Sequence, residues 1–158
     1  MKYLCSLLIA LAMHSASFGA DWSIASTKAT ALTPAEQTSK DGQDFWLTIT
    51  LRNDSKFTQY IRGLEPRWFL VEAFIRRPQS GVWERENIGY DQKLKWMPIK
   101  PGEEIKLIRR QSIADAGLPM MLTFSRSLSE TDGTGSIIVL DPFKVPKPPK
   151  PDPDSPEK

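Results

Sequence analysis

The stretch that decides the fold is FWLTITLRNDS, residues 45–55. Its apolar side chains occupy every second position, and tryptophan, threonine and arginine fill the positions between them. Because successive side chains of a β-strand point to opposite faces, this alternation predicts a strand with one buried face. Asn53-Asp54-Ser55 follows with residues that favour a turn, so the strand is expected to end there.

The same period of two continues on both sides of this stretch, and no long amphipathic helix is predicted. The run at 68–76 is apolar on both faces, which indicates a central strand. Pro78–Gly81 and Lys100–Glu103 carry turn residues, and 112–118 suits one helical turn with Ser112 as its N-cap. Other strands are predicted at 22–30, 60–61, 82–88, 104–109, 120–127 and 136–140. We therefore expect an all-β chain that forms one antiparallel β-sandwich of about seven strands over residues 21–140.

Residues 1–20, MKYLCSLLIALAMHSASFGA, have the three parts of a secretory signal peptide. Lys2 provides the positive start and Leu4–Met13 the apolar run, which is too short for a membrane span. Small residues then mark a cleavage site, and cleavage after Gly19 fits the pattern better than cleavage after Ala20. The sequence predicts an exported protein, periplasmic or secreted, with no transmembrane segment in the mature chain.

Cleavage at this site would remove the only cysteine and the only histidine, Cys5 and His14. The mature chain would then lack the residues of Ser-His-Asp and Cys-His catalysts, and a His or Cys metal site. A non-enzymatic protein without cofactor or metal is therefore expected. The net charge of the full chain is only +2, which gives no basic footprint for nucleic acid.

The last eighteen residues, 141–158, hold seven of the thirteen prolines. Proline fixes φ and lacks a backbone donor, so it opposes helices and inner strands. The sequence predicts a disordered, proline-rich tail that begins at Asp141, and a proline-motif ligand is the alternative.

Three segments resemble parts of bacterial immunoglobulin-like modules: FWLTITLRNDS at 45–55, FLVEAFIRRPQSGVWER at 69–85 and PIKPGEEIKLI at 98–108. A strand that ends in asparagine, followed by a proline-glycine-glutamate turn, is similar to the pattern of the intracellular proteinase inhibitor (BsuPI-like) family. The resemblance covers roughly residues 40–140. It implies an immunoglobulin-like sandwich, and inhibition of proteinases as one reading of the function. The export signal departs from the cytoplasmic setting of that family.

Carboxylates are the remaining candidates for catalysis, since paired acids can hydrolyse glycosides without histidine. Glu84 and Glu86 share a strand face, and Glu72 interrupts an apolar strand. The alternative for Glu72 is a place at an edge facing solvent, or an ion pair with an arginine such as Arg52 or Arg126.

The aromatic residues give the best functional signal. Trp46, Trp83 and Trp96 each adjoin polar residues, so they are candidates for stacking on sugar rings or anchoring a protein. Arg85 and Tyr90 lie near them and complete the candidate binding set. The alternative is that these rings are part of the core or its rim.

The leading hypothesis is a non-catalytic module of a Gram-negative-type envelope, which binds another envelope or extracellular protein through the hairpin at 68–88. A carbohydrate-binding module that uses the three tryptophans is the second reading, and a secreted proteinase inhibitor is the third.

Overall fold

The computed structural model describes residues 17–18, 21–33, 36–37, 44–64, 68–86, 93–131 and 135–149. More than half of these residues form strands, and one short 3-10 helix lies at Ile113–Asp115. The strands are β1 (Ser17–Phe18), β2 (Trp22–Ala31), β3 (Asp44–Asn53), β4 (Gln59–Leu64), β5 (Trp68–Phe69), β6 (Glu72–Arg76), β7 (Trp83–Arg85), β8 (Lys95–Ile99), β9 (Glu104–Ser112), β10 (Pro119–Ser127), β11 (Ser136–Val139) and β12 (Phe143–Lys144).

Two sheets face each other and enclose the core. The smaller sheet has the order β2-β3-β9, and the larger one contains the other nine strands, with β10 at its centre. Every pairing is antiparallel except the parallel pair of β1 and β11. The predicted all-β sandwich is confirmed, although short strands raise the number above the expected seven.

β3 is the middle strand of the smaller sheet, as its pattern predicts. Its alternate side chains Phe45, Leu47, Ile49 and Leu51 are at most 1% exposed. Burying apolar side chains contributes roughly 1.5–3 kcal/mol each, so this strand is a major source of stability. Inward side chains of the larger sheet complete the core, among them Ile61, Ile75, Met120, Leu122 and Ile138.

The run at 68–76 forms two strands, and its second part is the central strand that the pattern predicts. β5 pairs with β4, and after a break at Leu70 and Val71, β6 pairs with both β7 and β10. The two parts thus have different neighbours. The single helical turn is confirmed as well, because Ser112 caps the 3-10 helix with a hydroxyl that accepts from the N–H of Ala114.

β8 was not predicted, because Pro98 interrupts its pattern. Proline is compatible with an edge strand whose N–H side faces away from the neighbouring strand, and β8 pairs only with β4 among the described strands.

The predicted boundary at residue 140 differs from the structure. Phe143 and Lys144 pair with β10, and Val145 is only 1% exposed. The N–H of Val145 donates to the carbonyl oxygen of Leu118 at 3.0 Å. The sandwich therefore extends at least to Val145. The burial of Val145 and the pairing of Phe143 and Lys144 with β10 outweigh the unfavourable effect of the neighbouring prolines on strand formation. Residues 150–158 lie outside the described part, and so does most of the predicted signal peptide, except for Ser17–Phe18.

No helix in the described part of the chain has both the length and the apolar character needed to cross a bilayer.

Candidate functional site

The outward side of β6, β7 and β10 carries an unusual set of side chains, which we call the hairpin face. Along β6, the side chains of this face alternate with the buried residues Ala73 and Ile75, because successive side chains of a strand point to opposite sides of the sheet. The register places Phe74 opposite both Arg85 and Met121, and Arg76 opposite Trp83. The hairpin face consists of Glu72, Phe74, Arg76, Trp83, Arg85 and Met121.

The hairpin is closed by the turn that its sequence predicts. The N–H of Gly81 donates to the carbonyl oxygen of Arg77 at 2.9 Å, and Gly81 has a φ of 65°. Glycine is favoured here because other residues rarely adopt a positive φ. The guanidinium of Arg76 donates to the carbonyl oxygen of Gly81 and joins the hairpin face to the turn. The returning strand is β7, shorter than the predicted 82–88.

Glu72 is half-buried and pairs with Arg85 across the hairpin. The alternative of an ion pair is therefore correct, but with a different partner, because Arg52 pairs with Asp54 and Arg126 with Asp21. Glu72 thus lies at the surface beside a cation.

A polar network ties the hairpin to the smaller sheet. Nη1 of Arg77 donates to Asp115 at 2.7 Å, and Nε2 of Gln111 donates to Asp115 at 2.6 Å and to Glu86 at 2.5 Å. Nη2 of Arg109 donates to Glu86 at 2.7 Å. Asp115 and Gln111 are 3% and 2% exposed. We call these five residues the inter-sheet network, and it fixes the hairpin against β9.

Within the network, Asp115 stabilises the charged form of Arg77. The hydrogen bond and the charge of Asp115 raise the pKa of Arg77 above its ordinary value, and Glu84 adds a smaller effect. Because both sheets supply partners, the network restricts how the two layers can shift relative to each other.

The acidic pair Glu84 and Glu86 is divided between different partners. Glu84 accepts from Nε of Arg77 and from the hydroxyl of Ser80, each at 3.0 Å. Glu86 belongs to the inter-sheet network and binds Arg109. Within the described residues, no three His, Cys, Asp or Glu side chains are grouped so that they could hold a metal ion.

A small pocket lies beside the hairpin face, where β10 changes its partner from β6 to β4. Its volume is about 180 Å³, which is below the range of typical small-molecule sites, about 300–1,000 Å³. This size suits one inserted side chain. The lining residues are Leu70, Glu72, Thr123, Phe124, Ser125 and Ile137.

A larger cleft of about 390 Å³ lies between the start of β2 and the segment that joins β11 to β12. Asp141 is its only charged lining residue, and the indole of Trp22 is already engaged with Gln59. This cleft lacks the convergent polar groups that orient a ligand.

The predicted binding residues lie on separate surfaces. Trp83 and Arg85 belong to the hairpin face, but Trp46 lies on the outer side of the smaller sheet, where it donates to Glu36 at 3.3 Å. Trp96 lies on β8 of the larger sheet, which pairs with β4 and not with β7 among the described strands. The structure therefore does not bring the three tryptophans together.

Trp96 is already covered by its own chain. The guanidinium of Arg62 lies 5.0 Å from the centre of the indole ring, in a cation–π arrangement. Gly135 packs so closely that an added Cβ would come within 2.7 Å of the ring. Tyr90 lies outside the described residues, as do Gly19 and Ala20 at the predicted cleavage site.

Sequence reasoning missed Phe74 and Met121 as members of the candidate site. Phe74 was expected in a central strand, because the run at 68–76 is apolar on both faces. Only the register shows that both residues share the outward side with Trp83 and Arg85. In the sequence, the mixture of apolar residues and arginines at 74–76 and 83–85 was the feature that could have indicated this binding surface.

No protein-family model matches the sequence, and no curated protein matches it either. Among solved structures, the chain is similar to Northeast Structural Genomics Consortium target SoR45, with a TM-score of 0.50 and 13% identity over 82% of this chain and 88% of that one. A provisionally named ApaA protein from Bordetella pertussis aligns with a TM-score of 0.46 and 14% identity, over 81% and 94%. At such identities, the first similarity shows the fold alone.

Proposed function

We propose that this chain is an exported, non-catalytic β-sandwich module that binds another envelope or extracellular protein through the hairpin face. The observation that supports this most is the gathering of Phe74, Trp83, Met121 and two arginines on one outward surface beside a pocket for a side chain. Aromatic residues, methionine and arginine are the types enriched in protein interfaces.

The hairpin face is also held rigidly. β6 is paired on both sides, and the inter-sheet network fixes the end of the hairpin from the opposite layer. A surface whose side chains are fixed before binding loses less conformational entropy when a partner docks, which favours affinity. Phe74 and Trp83 are thus suitable anchors, with Arg76 and Arg85 at their margins.

Export supports the choice of partner. The segment 1–20 has the order of a cleaved signal peptide, so the partner would be a protein of the envelope or the exterior. The periplasm or secretion to the outside is the location that this segment implies.

The carbohydrate alternative receives less support from the geometry. Sugar-binding sites use exposed aromatic faces, and Trp46, Trp83 and Trp96 lie on three strands that do not pair with one another. Arg62 also covers one face of Trp96. Inhibition of proteinases rests on the sequence resemblance, and a panel of purified proteinases tests it directly.

Site-specific photo-cross-linking tests the proposal. A photoreactive residue at Thr123 lies beside the hairpin face, and one at Thr48 lies on the outer side of the smaller sheet; both positions are half-buried strand threonines. We expect a protein adduct in envelopes from position 123, at least five times stronger than from position 48. Trp83→Ala should reduce it at least fivefold, whereas Trp46→Ala should leave it unchanged. Adducts of equal strength from both positions, or glycan binding that Trp46→Ala abolishes, would contradict the proposal.

A further inference from the structure

We propose that the free edge of β11 accepts an extended strand of the partner protein once the signal peptide has been removed. The inference rests on the proposed function, because the strand donor would be the same partner that contacts the hairpin face. β11 lies next to β10, and Ile137 of β11 lines the pocket beside the hairpin face. One partner could therefore reach both surfaces.

The edges of the two sheets differ in their protection against strand pairing. Natural sheets protect their edges with charges, proline or bulges. β2 has a bulge between Ile24 and Ser26 and carries Lys28. β8 contains Lys95 and Pro98, and β9 has four charged residues along its length.

β11 has none of these features. Its sequence, Ser136-Ile137-Ile138-Val139, contains no charge and no proline, and three of its residues have high β-propensity. Ile137 is 58% exposed. Among the described strands of four or more residues that border a sheet, β11 is the only one without protection on its sequence.

A strand already occupies this edge in the full chain. β1 pairs with β11 in parallel, with Ser17 beside Ile138 and Phe18 beside Val139. Both residues of β1 belong to the predicted signal peptide. Cleavage after Gly19 or Ala20 would therefore remove the strand and leave the backbone groups on this side of β11 without a strand partner.

The occupant is a short, extended segment of the partner, uncharged where it faces β11. Backbone hydrogen bonds would provide the contact, as in other cases of strand addition. A second copy of the chain is less suitable, because pairing two four-residue strands buries far less than the roughly 1,200 Å² of a stable interface. A partner that also covers the hairpin face buries additional area there, so the small area of the strand pairing does not exclude it.

Hydrogen exchange on the full chain and on the processed chain tests the inference. The amides of β11 that point away from β10 should exchange at least tenfold faster after processing, whereas the amides of β6 should not change. A synthetic peptide with the sequence of residues 14–20, HSASFGA, is the probe and should restore the protection. Unchanged exchange after processing, or no effect of the peptide at millimolar concentration, would overturn the inference.

A pair of variants supplies the control. Ile137→Lys places a charge on the β11 edge and should weaken the effect of the peptide at least tenfold. Ile108→Lys introduces the same change at an isoleucine that is 67% exposed on the other sheet, and it should have no effect. If the processed chain instead forms a dimer that Ile137→Lys dissociates, the edge belongs to a second copy and the inference is wrong.

The two proposals fail in different ways. If strand addition is wrong but the hairpin face binds a protein, the adduct from position 123 forms, while processing and the peptide leave the exchange of the β11 amides unchanged. If the hairpin face is wrong, no adduct forms at position 123, while the peptide still protects β11.

Discussion

Nδ2 of Asn53 donates a hydrogen bond to the carbonyl oxygen of Ile99 at 3.0 Å and thereby joins the two sheets at one end. Asn53 ends β3 of the smaller sheet, and Ile99 ends β8 of the larger one. The side chain is fully buried, and its amide also donates to the carbonyl oxygen of Phe57. Its oxygen accepts from the N–H and the hydroxyl of Ser55. One residue thus organises a turn and connects both layers.

Replacing this residue should be costly. We expect Asn53→Ala to lower the free energy of unfolding by about 3 kcal/mol, because two carbonyl oxygens lose their buried donor. Urea unfolding followed by tryptophan fluorescence measures the loss. Lys56→Ala, in the same loop but exposed, is the control and should change stability by less than about 0.5 kcal/mol. A similar small loss for Asn53→Ala would show that water replaces the amide.

Two carboxylates on the same guanidinium should differ in their contribution. Arg77 binds Asp115, whose side chain is 5% exposed, and Glu84, whose side chain is 46% exposed. We expect Asp115→Asn to destabilise the protein by about 2 kcal/mol, and Glu84→Gln by less than about 0.5 kcal/mol, because solvent screens the exposed pair. Thermal unfolding of both variants provides the comparison. Equal effects would mean that burial does not decide the strength of these ion pairs.

Acid should weaken one surface contact of the smaller sheet. The N–H and the hydroxyl of Thr33 donate to Glu36 at 2.8 Å, and together with the indole of Trp46 they lower the pKa of Glu36 below its ordinary value. Because the folded pKa is the lower one, the stabilisation is present above the unfolded pKa and is lost as the pH falls through the folded pKa.

Removing a donor should therefore raise the pKa of Glu36. We expect an upward shift for Thr33→Val and a smaller one for Trp46→Phe, since the bonds from Thr33 have the larger effect. An NMR titration of the Glu36 carboxyl carbon measures both. Thr48→Val is the control, because Thr48 makes no bond to Glu36. An unchanged titration in Thr33→Val would contradict the assignment of the hydroxyl.

A pair of glycines separates backbone strain from a steric clash. Gly81 and Gly135 have φ of 65° and 41°, but only at Gly135 would an added Cβ collide, within 2.7 Å of Trp96. We expect Gly81→Ala to cost about 1 kcal/mol and Gly135→Ala about 3 kcal/mol. Chemical denaturation gives the stabilities, and the emission of Trp96 should change only in Gly135→Ala. Equal costs would indicate that the indole ring moves freely.

The extension of the sandwich beyond residue 140 makes a further prediction. Val145 is 1% exposed, so Val145→Ala should lower stability by about 2 kcal/mol through lost apolar contact and a small cavity. Lys147→Ala, two residues later and exposed, should have no measurable effect. Calorimetry of both variants decides between a packed segment and a free tail. No loss in Val145→Ala would restore the boundary at residue 140.

The strands with regular alternation were predicted well from the sequence. The pattern at 45–51 requires one buried face, and the turn residues at 53–55, 78–81 and 100–103 interrupt the strands where the structure does. Two of the strands that were missed, β8 and β12, contain or adjoin proline. A proline restricts only its own backbone. Whether it interrupts a sheet depends on whether a neighbouring strand needs a hydrogen-bond donor at that position.

The candidate site was predicted only in part. The hairpin at 68–88 was identified, and Trp83 and Arg85 lie on its outward side. Trp46 and Trp96 lie on β3 and β8, which do not pair with β7 among the described strands. Alternation fixes which residues of one strand share a side, but it does not fix which strands are neighbours.

The sequence by itself determined the strands, the turns and the all-β class, because these depend on the local period of apolar residues and on the φ preferences of glycine and proline. Only the tertiary structure decided that Asn53 reaches Ile99, that Phe74 meets Met121 and Arg85, and that Val145 closes the core. These contacts join residues that are not neighbours in the sequence, and the register of the strands is set by how the two sheets bury their apolar sides against each other.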